Sequence, residues 1–148
     1  MNRHAYLRAY LSGAFIPTLV LPLMLTAFVL LRLVLAVPFP IERGLVFPMA
    51  LVPAGWGLWN MLWLALRKRT QLALGVHGAV LPFLLLPCGT VVARGLGVLR
   101  LGASSATWFQ EIEVSYAVIA CVFVFVLALY YMVWKYVVGF LNRLLDIA

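Results

Sequence analysis

Four apolar stretches, each long enough to cross a bilayer as a helix, constrain this chain more than anything else in it. A hydrocarbon core takes about 20 consecutive apolar residues in helical form. We place the stretches at about 11–37, 45–66, 72–93 and 114–134. They do not alternate polar and apolar residues, so barrel strands are excluded as their form. The expectation is an all-α, integral membrane four-helix bundle, one domain over residues 1–148, with a C-terminal amphipathic extension over 135–148.

Composition agrees. Sixty-six per cent of the residues are apolar and 10 per cent are charged, against about 45–50 and about 25 per cent in soluble domains. A soluble chain of 148 residues exposes too many side chains to be this greasy. The net charge of +7 does not imply nucleic acid, because the cations punctuate the ends of the apolar stretches instead of forming a patch. Cys88 and Cys121 sit inside apolar stretches without CxxC spacing and read as small packing residues.

Arg3 and Arg8 precede the first stretch, and Val34-Leu35-Ala36 resembles a signal-peptide cleavage site. The stretch is long for a signal peptide and Arg32 interrupts it before that site, so we read a retained helix. Cation placement then gives orientation. With the amino terminus in the cytoplasm, Arg3, Arg8, Arg67, Lys68, Arg69, Lys135 and Arg143 lie inside; Arg32, Arg43, Arg94 and Arg100 lie outside. Seven against four predicts a multi-pass protein of the cell (inner) membrane with both termini cytoplasmic. Arg67-Lys68-Arg69 becomes an inner hairpin, and "PFPIERG" (38–44) a short outer loop. Residues 94–113 form a longer outer loop of flexible composition, with Trp108 and Phe109 at the interface. Its glycines follow no strand and precede no Gly-Lys-Ser/Thr, which excludes a phosphate loop.

Several features are candidates for function. Prolines recur as P-x4-P in three helices, at Pro17/Pro22, Pro48/Pro53 and Pro82/Pro87. Each interior proline removes a helix hydrogen bond, so we expect kinked helices whose freed carbonyls face protein or border a cavity. Trp56, Trp59 and Trp63 share a helical face with Asn60. Trp56, Asn60 and Trp63 are therefore expected to face a partner helix or a bound apolar ligand. His77 follows Ala73 by one turn, which leaves room for a flat macrocycle, so chlorophyll-type pigment or haem ligation through His77 is an alternative to interhelical hydrogen bonding. Ala50/Ala54 and Gly75/Ala79 offer small-residue packing faces. Arg94, Arg100, Glu111 and Glu113 gather at the outer interface, suited to headgroup pairing or to acid–base work. Glu111 and Glu113, two apart, do not share a helical face.

No Ser-His-Asp, HExxH or other metal-ligating constellation is present, and the four stretches hold no Asp or Glu, which argues against a proton-coupled pump. The expected role is a non-catalytic subunit or scaffold that needs no cofactor. It would pack against membrane lipids and partner membrane proteins, as a homo-oligomer or within a larger membrane complex. Two alternatives are a small oligomeric transporter or channel using Asn60 and His77, and an enzyme acting on a lipid-phase substrate at the outer interface.

Overall fold

A computed structural model describes residues 4–37, 42–43 and 47–147. Among the described residues, five α-helices and three short strands follow one another. α1 spans Ala5–Val29 and continues as a π-helical stretch over Leu30–Val34. α2 spans Phe47–Thr70 and α3 Leu74–Gly95. β1 (Leu99–Leu101), β2 (Ser105–Trp108) and β3 (Ile112–Ser115) come next. α4 (Tyr116–Met132) runs through a π-helical stretch, Val133–Val138, into α5 (Gly139–Leu144).

Four helical segments are long and apolar enough to cross a membrane: Ala5–Val34, Met49–Thr70, Leu74–Gly95 and Tyr116–Leu144. The 22-residue segments measure about 33 Å at about 1.5 Å per residue, matching a hydrocarbon core of about 30 Å. Their outer faces carry exposed Leu, Val and Phe throughout, including Leu19, Leu23, Leu51, Phe83, Val91 and Phe125. Such a surface is stable when lipid, not water, is the solvent.

The helices extend further than the sequence reading placed them. α1 begins before residue 11, and α2 carries Arg67, Lys68 and Arg69 in its last turn instead of ending before them. Cations there complement the helix dipole and reach past the apolar zone on long stems. The turn that follows is only residues 71–73, with Gln71 left-handed (φ 49). The loop at 38–44 lies mostly outside the described residues, as do Arg3, Ala148 and the Pro48 side chain.

Residues 94–113 depart most from expectation. The segment expected to be flexible folds as a three-stranded antiparallel sheet, β1-β2-β3, so the chain is helical with a small sheet and not purely all-α. Register explains why. Leu99, Trp108 and Ile112 align across the strands, as do Leu101, Ala106 and Val114; Arg100, Thr107 and Glu113 align on the opposite face. The sheet is therefore amphipathic. Its apolar face buries Leu99 and Ala106 against Ala93 of α3, with Trp108 and Ile119 of α4 packed alongside. Thus Trp108 packs on the helix ends beneath the sheet.

Two connections fix this cap. α3 ends in a Schellman motif: Val98 N–H donates to Ala93 O (2.9 Å), Gly97 N–H donates to Arg94 O (3.0 Å), and Gly97 takes φ 71. At the other side Ser115 caps α4, accepting from Val118 N–H at 3.4 Å.

Helix pairing follows the smallest residues. A Cβ on Gly13 of α1 would stand 2.5 Å from Trp56 O and 2.8 Å from Asn60 Cβ; one on Gly57 of α2 would stand 2.6 Å from the Tyr10 ring. Gly13 and Gly57, with buried Ala9, Ser12 and Ala14, let the α1 and α2 backbones touch. Ala50 is exposed, whereas Gly75 is buried against Tyr131 and Lys135. The amino end of α1, the α2–α3 turn and the carboxyl end of α5 meet at one end, the basic end; the sheet caps the other.

Candidate functional site

The polar interior begins with the two asparagines that lie inside the crossing segments. Asn60 on α2 and Asn142 on α5 are both fully buried. Asn60 Nδ2 donates to Asn142 Oδ1 (2.9 Å) and to Ala9 O of α1 (2.8 Å), and Asn142 Nδ2 donates back to Asn60 Oδ1 (3.2 Å). Both donors of Asn60 are used and its oxygen accepts. One amide pair thus ties three helices together, α1, α2 and α5.

An amphipathic tail with an apolar stripe of Val137, Phe140, Leu141, Leu144 and Leu145 would put Asn142 on the opposite, polar face with Lys135 and Arg143, and its burial corrects that expectation. The interior line of the tail is Trp134, Val138 and Asn142, all fully buried, while Phe140 (55 %) and Leu144 (66 %) of the apolar stripe are exposed. In lipid an outward apolar side chain costs nothing, whereas an amide needs a partner inside. The π-helical stretch adds a residue to the turn, which keeps this row, spaced by four, on the inner side. Beyond Asn142 the chain closes on itself: Asp146 takes φ 52, Asp146 N–H donates to Arg143 O (3.1 Å), and Ile147 N–H donates to Asn142 O (2.8 Å). That is a second Schellman motif, with Ile147 buried. Arg67 Nη1 donates to Ile147 O (2.6 Å) and Arg8 Nη1 to Leu145 O (3.3 Å), placing two guanidinium groups on the negative end of α5.

His77 sits in the first turn of α3. Its Nε2 lies 3.0 Å from Trp59 O, which can only accept, so this nitrogen holds the proton. Trp59 Nε1 donates to His77 O (2.9 Å), and the two rings stack at 4.6 Å. Nε2 is therefore bonded to α2, and a ring face is covered. The glycine after it serves Trp134: a Cβ on Gly78 would stand 2.0 Å from Trp134 Cγ. Trp63 Nε1 donates to Leu72 O (3.2 Å), and the Arg67 guanidinium lies 5.5 Å above its ring.

Trp56 differs. It is 6 % exposed, packs in one cluster with Leu81, Trp134 and Val138, and its Nε1–H, like that of Trp134, is buried without a geometric hydrogen-bond partner. Its ring lies 5.1 Å from that of Tyr130, whose hydroxyl is close by, and 5.5 Å from that of Trp134. Trp56 and Tyr130 border an apolar cleft of about 350 Å³ between α1, α2 and α4, together with Pro17, Met49, Val52 and Leu129. Tyr130 also borders a second cleft of about 410 Å³ between α3 and α4, with Pro82, Phe123 and Val126, roofed by Trp108. Both volumes fall in the range of small-ligand sites.

No family model, curated protein or solved structure matches this chain. What it does must be argued from its own geometry.

The prolines divide. Pro17 and Pro82 are buried and border the two clefts, whereas Pro53 is partly buried and Pro22 and Pro87 are exposed. Gly13 and Gly78 stand four residues before the two buried prolines, so their carbonyls are the ones that lose a helical donor.

Arg94, Arg100, Glu111 and Glu113 are all exposed at the sheet end. Arg100 and Glu113 share a row two strands apart, about 10 Å at the usual strand spacing. The Ser105 hydroxyl donates to Glu113. Glu111 lies in the turn between β2 and β3, and Arg94 in the last turn of α3. Glu111 and Glu113 thus stand on different parts of the cap, and among the described residues no three His, Cys, Asp or Glu side chains converge as a metal site requires.

Sequence reasoning passed over Asn142, Tyr130, Trp134 and Arg8. A signal existed for the first: one asparagine in an apolar stretch and another in the apolar tail invite pairing. Tyr130 and Trp134, four residues apart on one helix face, repeat the spacing of Trp56 and Asn60.

Proposed function

We propose that this chain is a non-catalytic subunit of a membrane assembly. It spans the bilayer four times with its basic end in the cytoplasm, and it meets lipids and partner membrane proteins through its outer apolar faces. One observation carries this reading. The interior polar groups of Asn60, Asn142, Trp59, Arg8 and Arg67, and Nε2 of His77, are committed to holding the chain's own helices together. An interior spent on cohesion supports assembly over chemistry. Asn60 and His77, the residues on which a transporter reading rested, are among those so engaged, and the outer acids do not form a carboxylate pair.

The outer surface supplies the complementary support. All four crossing segments expose Leu, and three of them Val and Phe as well, a surface suited to lipid and to further helices. The full-length protein, extracted in a mild detergent and weighed in its native state, should carry a mass of two or more chains or of a complex with another membrane protein. A strictly monomeric species under every mild detergent would overturn the subunit reading.

A further inference from the structure

At the basic end, where α2, the start of α3 and the tail meet, a cleft of about 220 Å³ is lined by Trp63, Gly75, Tyr131, Lys135, Gly139 and Arg143. Lys135, Gly139 and Arg143 are spaced by four. They form the row beside Trp134, Val138 and Asn142, and the π-helical stretch keeps them on one side of the helix as it does that row. Gly139 leaves the wall between the two cations bare. Arg143 Nη1 stands 3.9 Å from where a Cβ on Gly139 would be, so the guanidinium folds back along the cleft. Among the described residues it has no hydrogen-bond or ion-pair partner. Lys135 Nζ lies 5.4 Å from the Tyr131 ring, and the Arg67 guanidinium lies 5.5 Å from the Trp63 ring. No carboxylate borders this cleft; Asp146 borders a neighbouring one, with Arg67 and Lys68. α3 begins here without a side-chain cap, so the positive end of its dipole adds to the field. The 22 residues of α3 measure about 33 Å, which puts its start where hydrocarbon gives way to headgroups.

We propose that this cleft holds the phosphodiester of an anionic phospholipid whose headgroup bears no cation of its own, as in phosphatidylglycerol, with Lys135 and Arg143 donating to its phosphate oxygens. Charge complementarity selects this occupant. Two cations without an acid stand at phosphate depth, and each makes a charge-assisted hydrogen bond once a phosphate arrives. A zwitterionic headgroup fits less well. Its ammonium finds no carboxylate, and the Tyr131 and Trp63 rings that would receive it already carry Lys135 and Arg67. Size and surroundings select a lipid over a free anion. The cleft is smaller than a drug-sized ligand requires and suits a headgroup whose chains stay outside. On its membrane side, α3 and α4 expose Val76, Val80 and Met132, an apolar surface for acyl chains. The inference deepens the lipid-contact side of the proposed reading and rests on the chain's lying in a bilayer. It does not require an assembly, since every residue named lies in one chain.

The test is calorimetric titration of the full-length protein, in a nonionic detergent, with dioctanoyl phosphatidylglycerol, dioctanoyl phosphatidylcholine and inorganic phosphate. Phosphatidylglycerol should bind saturably, and at least about tenfold more tightly than either of the others. Lys135→Gln and Arg143→Gln should each weaken it about fivefold, the loss expected for one interfacial cation. Arg69→Gln removes a charge from the same end but outside the cleft, and should weaken it by less than about twofold, because exposed charges at a distance are screened. Equal affinity of the wild-type protein for the two lipids would overturn the proposal even if a variant failed to fold. Inorganic phosphate binding as tightly as phosphatidylglycerol would overturn it in favour of a soluble anion. Arg69→Gln weakening the lipid as much as Arg143→Gln would overturn it in favour of a diffuse basic surface. A monomeric native mass with the lipid preference intact would remove the subunit reading and leave this one standing; an oligomer without the preference would do the reverse.

Discussion

At the residue scale, the bundle depends on a few side chains whose alternatives are worse in lipid than in water. The Asn60–Asn142 amide pair is the clearest case, because neither group reaches solvent. Interhelical hydrogen bonds of this kind contribute about 0.6–2 kcal/mol in membranes. Asn60→Ala and Asn142→Ala should each lower the melting temperature in detergent. The double variant should lose less than the sum, with a coupling of about 0.5–2 kcal/mol in a double-mutant cycle. Gly78 makes a second, steric case. Alanine there meets the Trp134 ring, so Gly78→Ala should destabilise by about 1–3 kcal/mol or prevent folding. Gly89→Ala has open space around its Cβ and should be neutral or stabilising by up to about 1 kcal/mol through helix propensity. Thermal unfolding of the two variants side by side reads the contrast. Asn60 and Gly78 were both visible in the sequence, but their partners were not. Asn142 is 82 residues from Asn60, and Trp134 is 56 from Gly78; periodicity within one helix cannot say which face of another it will meet.

At the element scale, helix ends decide the architecture. Gly97 and Asp146 occupy the same left-handed position in equivalent motifs, one closing α3 beneath the sheet and one closing α5 beneath Arg8 and Arg67. Glycine adopts that conformation without a Cβ penalty, and aspartate does so at some cost. Asp146→Gly should therefore raise stability by a few tenths to about 1 kcal/mol, and Gly97→Ala should lower it by about 1 kcal/mol, both measured by thermal unfolding. The four long helices were legible from apolar run length alone, because hydrocarbon thickness sets that length and nothing else in the chain competes. The sheet was not. Its strands are three and four residues long, and "RGLGVLRLGASSAT" is rich in the small residues that also make loops. The alternation of apolar Leu99, Leu101, Ala106 and Trp108 with polar Arg100, Ser105 and Thr107 gains meaning only once α3 and α4 supply a surface for one face. The tail was half legible. Its apolar stripe was visible, but an amphipathic stripe in lipid does not mark the inner face, and the row of Trp134, Val138 and Asn142 runs beside it.

At the scale of the whole molecule, the central claim is a chain that threads hydrocarbon four times with both ends on one side. The Arg8–Leu145 bond ties the start of α1 to the end of α5, the Arg67–Ile147 bond adds the end of α2, and the sheet stands at the far end of the same helices. A bilayer placed around the four apolar segments leaves the α2–α3 turn on one side and the sheet on the other. Cys88 and Cys121 can be replaced to give a cysteine-free background, since both are exposed, free and inside crossing segments. The most direct measurement is labelling of single-cysteine variants, Gln71→Cys in the turn and Ser104→Cys between β1 and β2, with a membrane-impermeant maleimide in intact cells and in inverted vesicles. Ser104→Cys should label only in intact cells and Gln71→Cys only in inverted vesicles. Labelling of both variants from the same side would contradict the account.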